Sequence, residues 1–245
     1  MGPTGKLYTY PNNVKAIKIL IASEYSGVPI EIPEDFVYGK SNQTSEFLAK
    51  FPSGRVPALE SGKDFVCESN AIASYVCPPE WLGGQDDMKR AHILEWMFLS
   101  ESQIWPGVCN LVFPKLGLLE VSAEDTKKAK VQLFQELKTI NEQLKLKTFL
   151  VGETLTLADV TLMSSLMLFF HHVWTDECSA SFTHLVRWYQ TIINQTKIKK
   201  VLDGINLEFQ APGRTEHKEV PLCVFPLVFA PLPVVVDLIS SCFPL

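Results

Sequence analysis

Val56-Pro57 and Glu68-Ser69-Asn70, thirteen residues apart, are the residues of this chain best suited to hold a small peptide. Pro57 cannot donate a ladder hydrogen bond, so Val56 keeps its own backbone N–H and C=O for something other than a neighbouring strand. Ser69 stands at the entrance to the apolar run Ala71 to Val76, where it can cap a helix. A helix N-terminus with hydroxyl and amide donors attracts a carboxylate. Between the two features, Val56, Ala58 and Leu59 face Phe65 and Val66 across Ser61-Gly62-Lys63-Asp64, a hairpin pattern. An ordinary hairpin followed by a capped helix is the alternative reading of the same residues.

Other chemistry-bearing residues are sparse. Six cysteines (67, 77, 109, 178, 223 and 242) lack any C-x-x-C or His–Cys spacing. They read as free thiols in a reducing compartment rather than as a disulfide frame or zinc site. His171-His172 with Asp176 could suggest a metal site; at the end of an apolar helix, packing and capping are the readier explanation, and no metal site is assigned. The net charge is −5, and no Lys/Arg run is longer than a pair, which disfavours direct nucleic-acid binding. The N-terminus carries no charged-then-apolar signal pattern, so a cytoplasmic location is expected.

The elements that must position these residues follow from periodicity. Lys6 to Tyr10 reads as a strand, Val14 to Tyr25 as a helix, Val28 to Ile32 as a second strand and Thr44 to Phe51 as a short amphipathic helix. The hairpin and a third helix complete a β-α-β, β-β-α order, that of a thioredoxin-like domain over residues 5–77. Residues 78–87, with Pro78-Pro79 and Gly83-Gly84, read as a linker. From 88 to 208 only helices are expected. Asp87 to Ile104 should be a helix ended by Trp105-Pro106-Gly107, and Ser122 to Lys147 another, opened by Ser122 and Asp125. Thr156 and Asp159 should form a capping box, with Leu155 and Val160 as its staple. The helix onward to Phe170 is apolar nearly all round, too short to span a bilayer, and therefore central and buried.

A thioredoxin-like α/β domain, a Pro-Pro linker and an all-α domain with a capped buried helix resemble the soluble glutathione transferases. The marks are Val56-Pro57, Glu68-Ser69 and Thr156 with Asp159, over residues from Lys6 to Glu208. Within that fold, Leu7 to Pro11, Thr44 to Glu60, Glu68 to Ala73 and Lys147 to Glu153 are similar to the gamma subunits of the eukaryotic translation elongation factor 1 complex. That resemblance implies a non-catalytic scaffold that docks guanine-nucleotide-exchange subunits. The alternative is an active glutathione transferase conjugating glutathione to electrophiles.

The transferase resemblance also implies site roles. Pro57 would be the cis-proline of the thioredoxin fold, and Val56 would pair its backbone with the cysteinyl part of glutathione. Glu68 and Ser69 would hold the γ-glutamyl end, and Arg55, with Asn42 as a weaker partner, the glycine carboxylate. No cofactor is required, and glutathione is the candidate ligand. At the first strand–helix junction Pro11 occupies the place of the serine-type hydroxyl, which leaves Tyr8 as the substitute catalytic group and Tyr10 and Asn12 behind it. A homodimer is the default assembly of such folds. The chain departs from the gamma subunits after residue 210. Residues 209–245 form an apolar tail in which Pro221, Pro226, Pro231 and Pro233 forbid a continuous membrane span. The tail is expected to be poorly ordered, and deleting residues 211–245 to improve solubility without unfolding the body.

Overall fold

A computed structural model describes residues 5–207. The expectations for the apolar tail lie outside these residues.

The first half is built on a four-stranded sheet of order β2-β1-β3-β4, from β1 (Gly5–Tyr8), β2 (Ile30–Glu31), β3 (Ala58–Ser61) and β4 (Asp64–Cys67). β1 pairs β2 in parallel and β3 in antiparallel fashion, and β3 pairs β4 in a tight hairpin whose Gly62 takes φ 63°. The second strand is only two residues, shorter than Val28 to Ile32. Helix α1 (Val14–Ser26) is capped by Asn13, whose side chain accepts from the Lys15 N–H, and ends at Gly27 with φ 74°. With α3 (Ser69–Val76) it joins Leu7 and Leu59 in the main core. The opposite sheet face carries α2 (Ser45–Lys50) and a smaller cluster of Phe47, Phe51 and Ala58, against which Tyr8, Phe36 and Val56 pack.

The second half is helical: α4 (Asp87–Leu99), α5 (Trp105–Val112), α6 (Ala123–Gln143), α7 (Leu157–His172), α8 (Asp176–Ser181), α9 (Thr183–Ile193) and α10 (Thr196–Leu202). Pro106 does not terminate the helix begun at Asp87. A single π-turn, Ser100–Ile104, links α4 to α5, and Pro106 falls in the first turn of α5, where no intrahelical donor is needed. Helix α6 is opened by Ser122, which accepts from the Asp125 N–H at 3.0 Å, and tightens into a 3₁₀ turn at Leu144–Leu146 before reaching Lys147.

Helix α7 is the axis of the molecule, buried from Leu157 to Phe169 and packed on α1, α4 and α5. Its capping box is present as the residue types require. Asp159 Oδ2 accepts from the Thr156 N–H at 3.0 Å and the Thr156 hydroxyl at 2.9 Å. Its other oxygen accepts from the Leu150 N–H and from the Trp188 Nε1–H, each at 2.9 Å. Burial pushes the carboxyl of Asp159 upward, and these four donors oppose the shift.

Candidate functional site

The sheet register brings the candidate residues to one end of the sheet. Tyr8 pairs with Ala58, and Ala58 with Cys67, side by side across three strands. The loop after β1, the segment before β3 and the corner after β4 therefore converge. The Val56–Pro57 peptide is cis, and β3 begins only at Ala58, so Val56 stands outside the ladder. Arg55 is exposed and Val56 half-buried.

The corner after β4 is the most distinctive backbone of the site. Glu68 has φ 70° and ψ 115°, left-handed territory that a residue with a Cβ enters only when its surroundings hold it there. Its side chain is exposed, whereas Ser69 is 9% exposed. Ser69 does not cap α3 as its type suggests. The cap position is Glu68, without a side-chain bond, and Ser69 is the first helical residue. The turn at Glu68 starts the helix one residue early, leaving the amide donors of the first turn open at the corner.

Around the first strand–helix junction, each candidate has a structural occupation. The Tyr8 hydroxyl donates to Glu60 Oε2 at 2.8 Å, and its ring lies within 6 Å of the rings of Phe36, Phe47 and Phe51 on the α2 face of the sheet. Burial and the Glu60 carboxylate push it up to about 12. With its proton committed to a carboxylate, Tyr8 is poorly placed to stabilise a ligand thiolate. It lines instead, with Pro33, Asp35, Phe36, Glu46 and Lys50 among others, a small cleft of about 200 Å³. Burial likewise lifts Tyr10 to about 12, its ring 5.0 Å from that of Tyr38. Asn12, at φ 61°, accepts from the Asn206 N–H at 2.9 Å. Asn42 is 2% exposed and staples its own loop. It accepts from the Gly39 N–H at 2.6 Å and donates to Gly54 O at 2.8 Å, so its amide is already engaged.

Beyond the sequence candidates, a polar cluster lies behind the corner. Lys18 is wholly buried and donates to Asn70 Oδ1 at 2.6 Å and Glu101 Oε1 at 2.8 Å. Lys15 donates to Glu101 Oε2 and lies 4.1 Å from the centre of the Trp105 ring. The only signal for Lys18 in the sequence was a lysine between Ile17 and Ile19 in an otherwise apolar run. Among the described residues no group of three or more His, Cys, Asp and Glu is arranged to hold a metal. His172 Nε2 lies 3.2 Å from Leu207 O, and its ring meets that of His171 edge-on.

A four-stranded mixed sheet on helices, joined to an all-helical half through a capped central helix, defines the glutathione S-transferase class. Residues 3–77 match the glutathione S-transferase N-terminal domain and residues 89–196 the C-terminal domain, so the chain belongs to that family by both halves. The structure of glutathione S-transferase-I bound with lactoylglutathione superposes with a TM-score of 0.73 at 23% identity, covering 83% of this chain and all of the other. Within the family, the chain is similar to proteins named elongation factor 1-gamma. It is 41% identical to that of Artemia salina over 204 residues (83% of this chain, 47% of the relative). To the Drosophila melanogaster protein it is 36% identical over 228 residues (93% and 49%). The chain thus spans about half the length of these curated relatives.

Proposed function

We propose that this chain is a transferase-like subunit of the translation elongation factor 1 complex, a non-catalytic scaffold that docks the guanine-nucleotide-exchange subunits. The observation that carries this reading is the 36–41% identity to elongation factor 1-gamma proteins over most of the chain. The commitment of the Tyr8 proton to Glu60 supports the non-catalytic part. A cytoplasmic location goes with this role. No helix among the described residues is long and apolar enough to cross a membrane. Leu94 and Phe98, one turn apart on α4 and 38% and 68% exposed, offer an apolar strip suited to a homodimer or to a docked subunit. The purified chain should capture a purified exchange subunit at micromolar concentration, with and without glutathione. Failure of the pair to co-elute refutes the scaffold role.

The second reading, glutathione binding with or without conjugation, is favoured by the Glu68–Ser69 corner. Glutathione offers two carboxylates and one ammonium, which complement the first-turn amides of α3, Arg55 and Glu68. In this reading Val56 receives the cysteinyl backbone. Conjugation to an electrophilic aryl halide should run at the uncatalysed rate in the wild type and in Tyr8→Phe alike. A catalysed rate that Tyr8→Phe abolishes would establish the enzyme instead.

A further inference from the structure

The ammonium of Lys18 has no contact with water, and an ion so placed is tolerated only when its acceptors are fixed. Those acceptors belong to different parts of the molecule. Glu101 projects from the π-turn of the helical half, and Asn70 is the second residue of α3, directly behind Glu68 and Ser69. Lys15, clasped between Glu101 and the Trp105 ring, closes the same seam. Two ammonium groups share one carboxylate. The further negative group acting on both is Glu68, the corner residue at φ 70°. Helix α3 has no side-chain bond at its cap. The Lys18–Asn70 bond therefore anchors its first turn from behind.

We propose that Glu101 and Lys18 are positioning residues: through Asn70 they set the geometry of the Glu68–Ser69 corner, so that the helical half governs how tightly the corner holds a γ-glutamyl group. This rests on the reading that the corner accepts glutathione. The cluster touches the ligand only through the residues it orients. Breaking the chain at either end should have the same effect, because the corner loses the same support.

The test uses the full chain with Glu101→Gln, Asn70→Ala and the double variant. Asn70→Ala keeps the Lys18–Glu101 ion pair intact and so protects the fold. Two quantities are read: glutathione affinity by calorimetry, and hydrogen exchange, without ligand, of the hydrogen-bonded amides that begin at Ile72, whose N–H donates to Glu68 O at 3.0 Å. Each single variant should weaken glutathione about tenfold, the loss of one charge-assisted bond. The double variant should be no weaker than either single one, and exchange should accelerate locally in the bonded amides from Ile72 onward. Glu101→Asp, which keeps the carboxylate, should recover most of the affinity. Full affinity in Asn70→Ala, additive losses, or unchanged exchange at the corner overturns the proposal. If the wild type binds no glutathione, the ligand reading falls. The exchange data then decide the positioning role alone, acceleration in both single variants supporting it and no change refuting it.

Discussion

Asp159 is the residue whose loss should be felt most. Its carboxylate accepts four hydrogen bonds, from Leu150 N–H, Thr156 N–H, the Thr156 hydroxyl and Trp188 Nε1–H, and Asp159, Thr156 and Trp188 are all 0% exposed. In Asp159→Ala, two backbone donors and an indole donor are stranded without water. Each buried unsatisfied group costs about 1–3 kcal/mol, and part of that is recovered if water enters the cavity, so a net loss of about 4–6 kcal/mol is expected. Against a total of about 5–15 kcal/mol, that brings the fold close to its limit. For a chain of this size it corresponds to a fall in Tm of about 10–20 °C. Asp159→Asn keeps one acceptor oxygen and turns an amide towards the remaining donors, for a loss of about 2–4 kcal/mol. Trp188→Phe removes one donor without leaving it unpaired and should cost least through this network, about 1 kcal/mol from the lost bond alone. Urea denaturation followed by tryptophan fluorescence and circular dichroism measures all three. An Asp159→Ala variant within 1 kcal/mol of the wild type would refute the view that this carboxylate organises the helical half.

Asn42→Ala should destabilise by about 1–2 kcal/mol, because it unpairs the buried Gly54 O and releases Gly39 N–H, which is exposed enough to meet water. Thermal melting checks this, and a shift under 2 °C would contradict it. Lys18, pushed down to about 8 by burial and by Lys15 beside it, gives a pH signature. As pH rises from about 8 towards 10.5, the folded chain gives up this proton before the unfolded chain does, so the Lys18 contribution to stability rises by up to about 3 kcal/mol. The charged groups facing it are Lys15 on its own helix, Glu101 on the π-turn and Glu68 at the corner. The buried thiols Cys77 and Cys109, pushed up to about 12, act in the opposite direction above about pH 9. They are present equally in Lys18→Met, so the readout is the stability of the wild type minus that of Lys18→Met. A difference that stays flat between pH 7.5 and 9.5 would sink the assignment.

Local patterns were the legible part of this fold. The Thr156–Asp159 box, the hairpin over Ala58 to Cys67 and the all-round apolar helix α7 each follow from residues within a few positions of one another. What escaped was set by tertiary context. Ser69 has the chemistry of a cap, but the left-handed turn at Glu68 starts the helix one residue early, at Ser69 itself. Pro106 has the chemistry of a terminator, but a π-turn delivers it to a first helical turn. Asn42 has a ligand role by resemblance alone; its bonds to Gly39 N–H and Gly54 O join positions 3 and 12 residues away. Lys18 lies in a helix enclosed on several sides by α3, α7 and the π-turn, so no single stripe of its sequence faces water. Its partners are 52 and 83 residues away, beyond the reach of any periodicity argument.

The left-handed Glu68 has an evolutionary corollary. Glycine would take up φ 70° freely, releasing about 1–3 kcal/mol of backbone strain for about 0.5–1 kcal/mol of added chain entropy. A search for thermostable variants should therefore drift towards Glu68→Gly, and in doing so erase the Glu68 carboxylate at the corner. If the corner holds glutathione as proposed, selection for robustness and selection for ligand capture would pull this single position in opposite directions. Its identity in a population of variants thus reports which of the two the chain has been asked to keep.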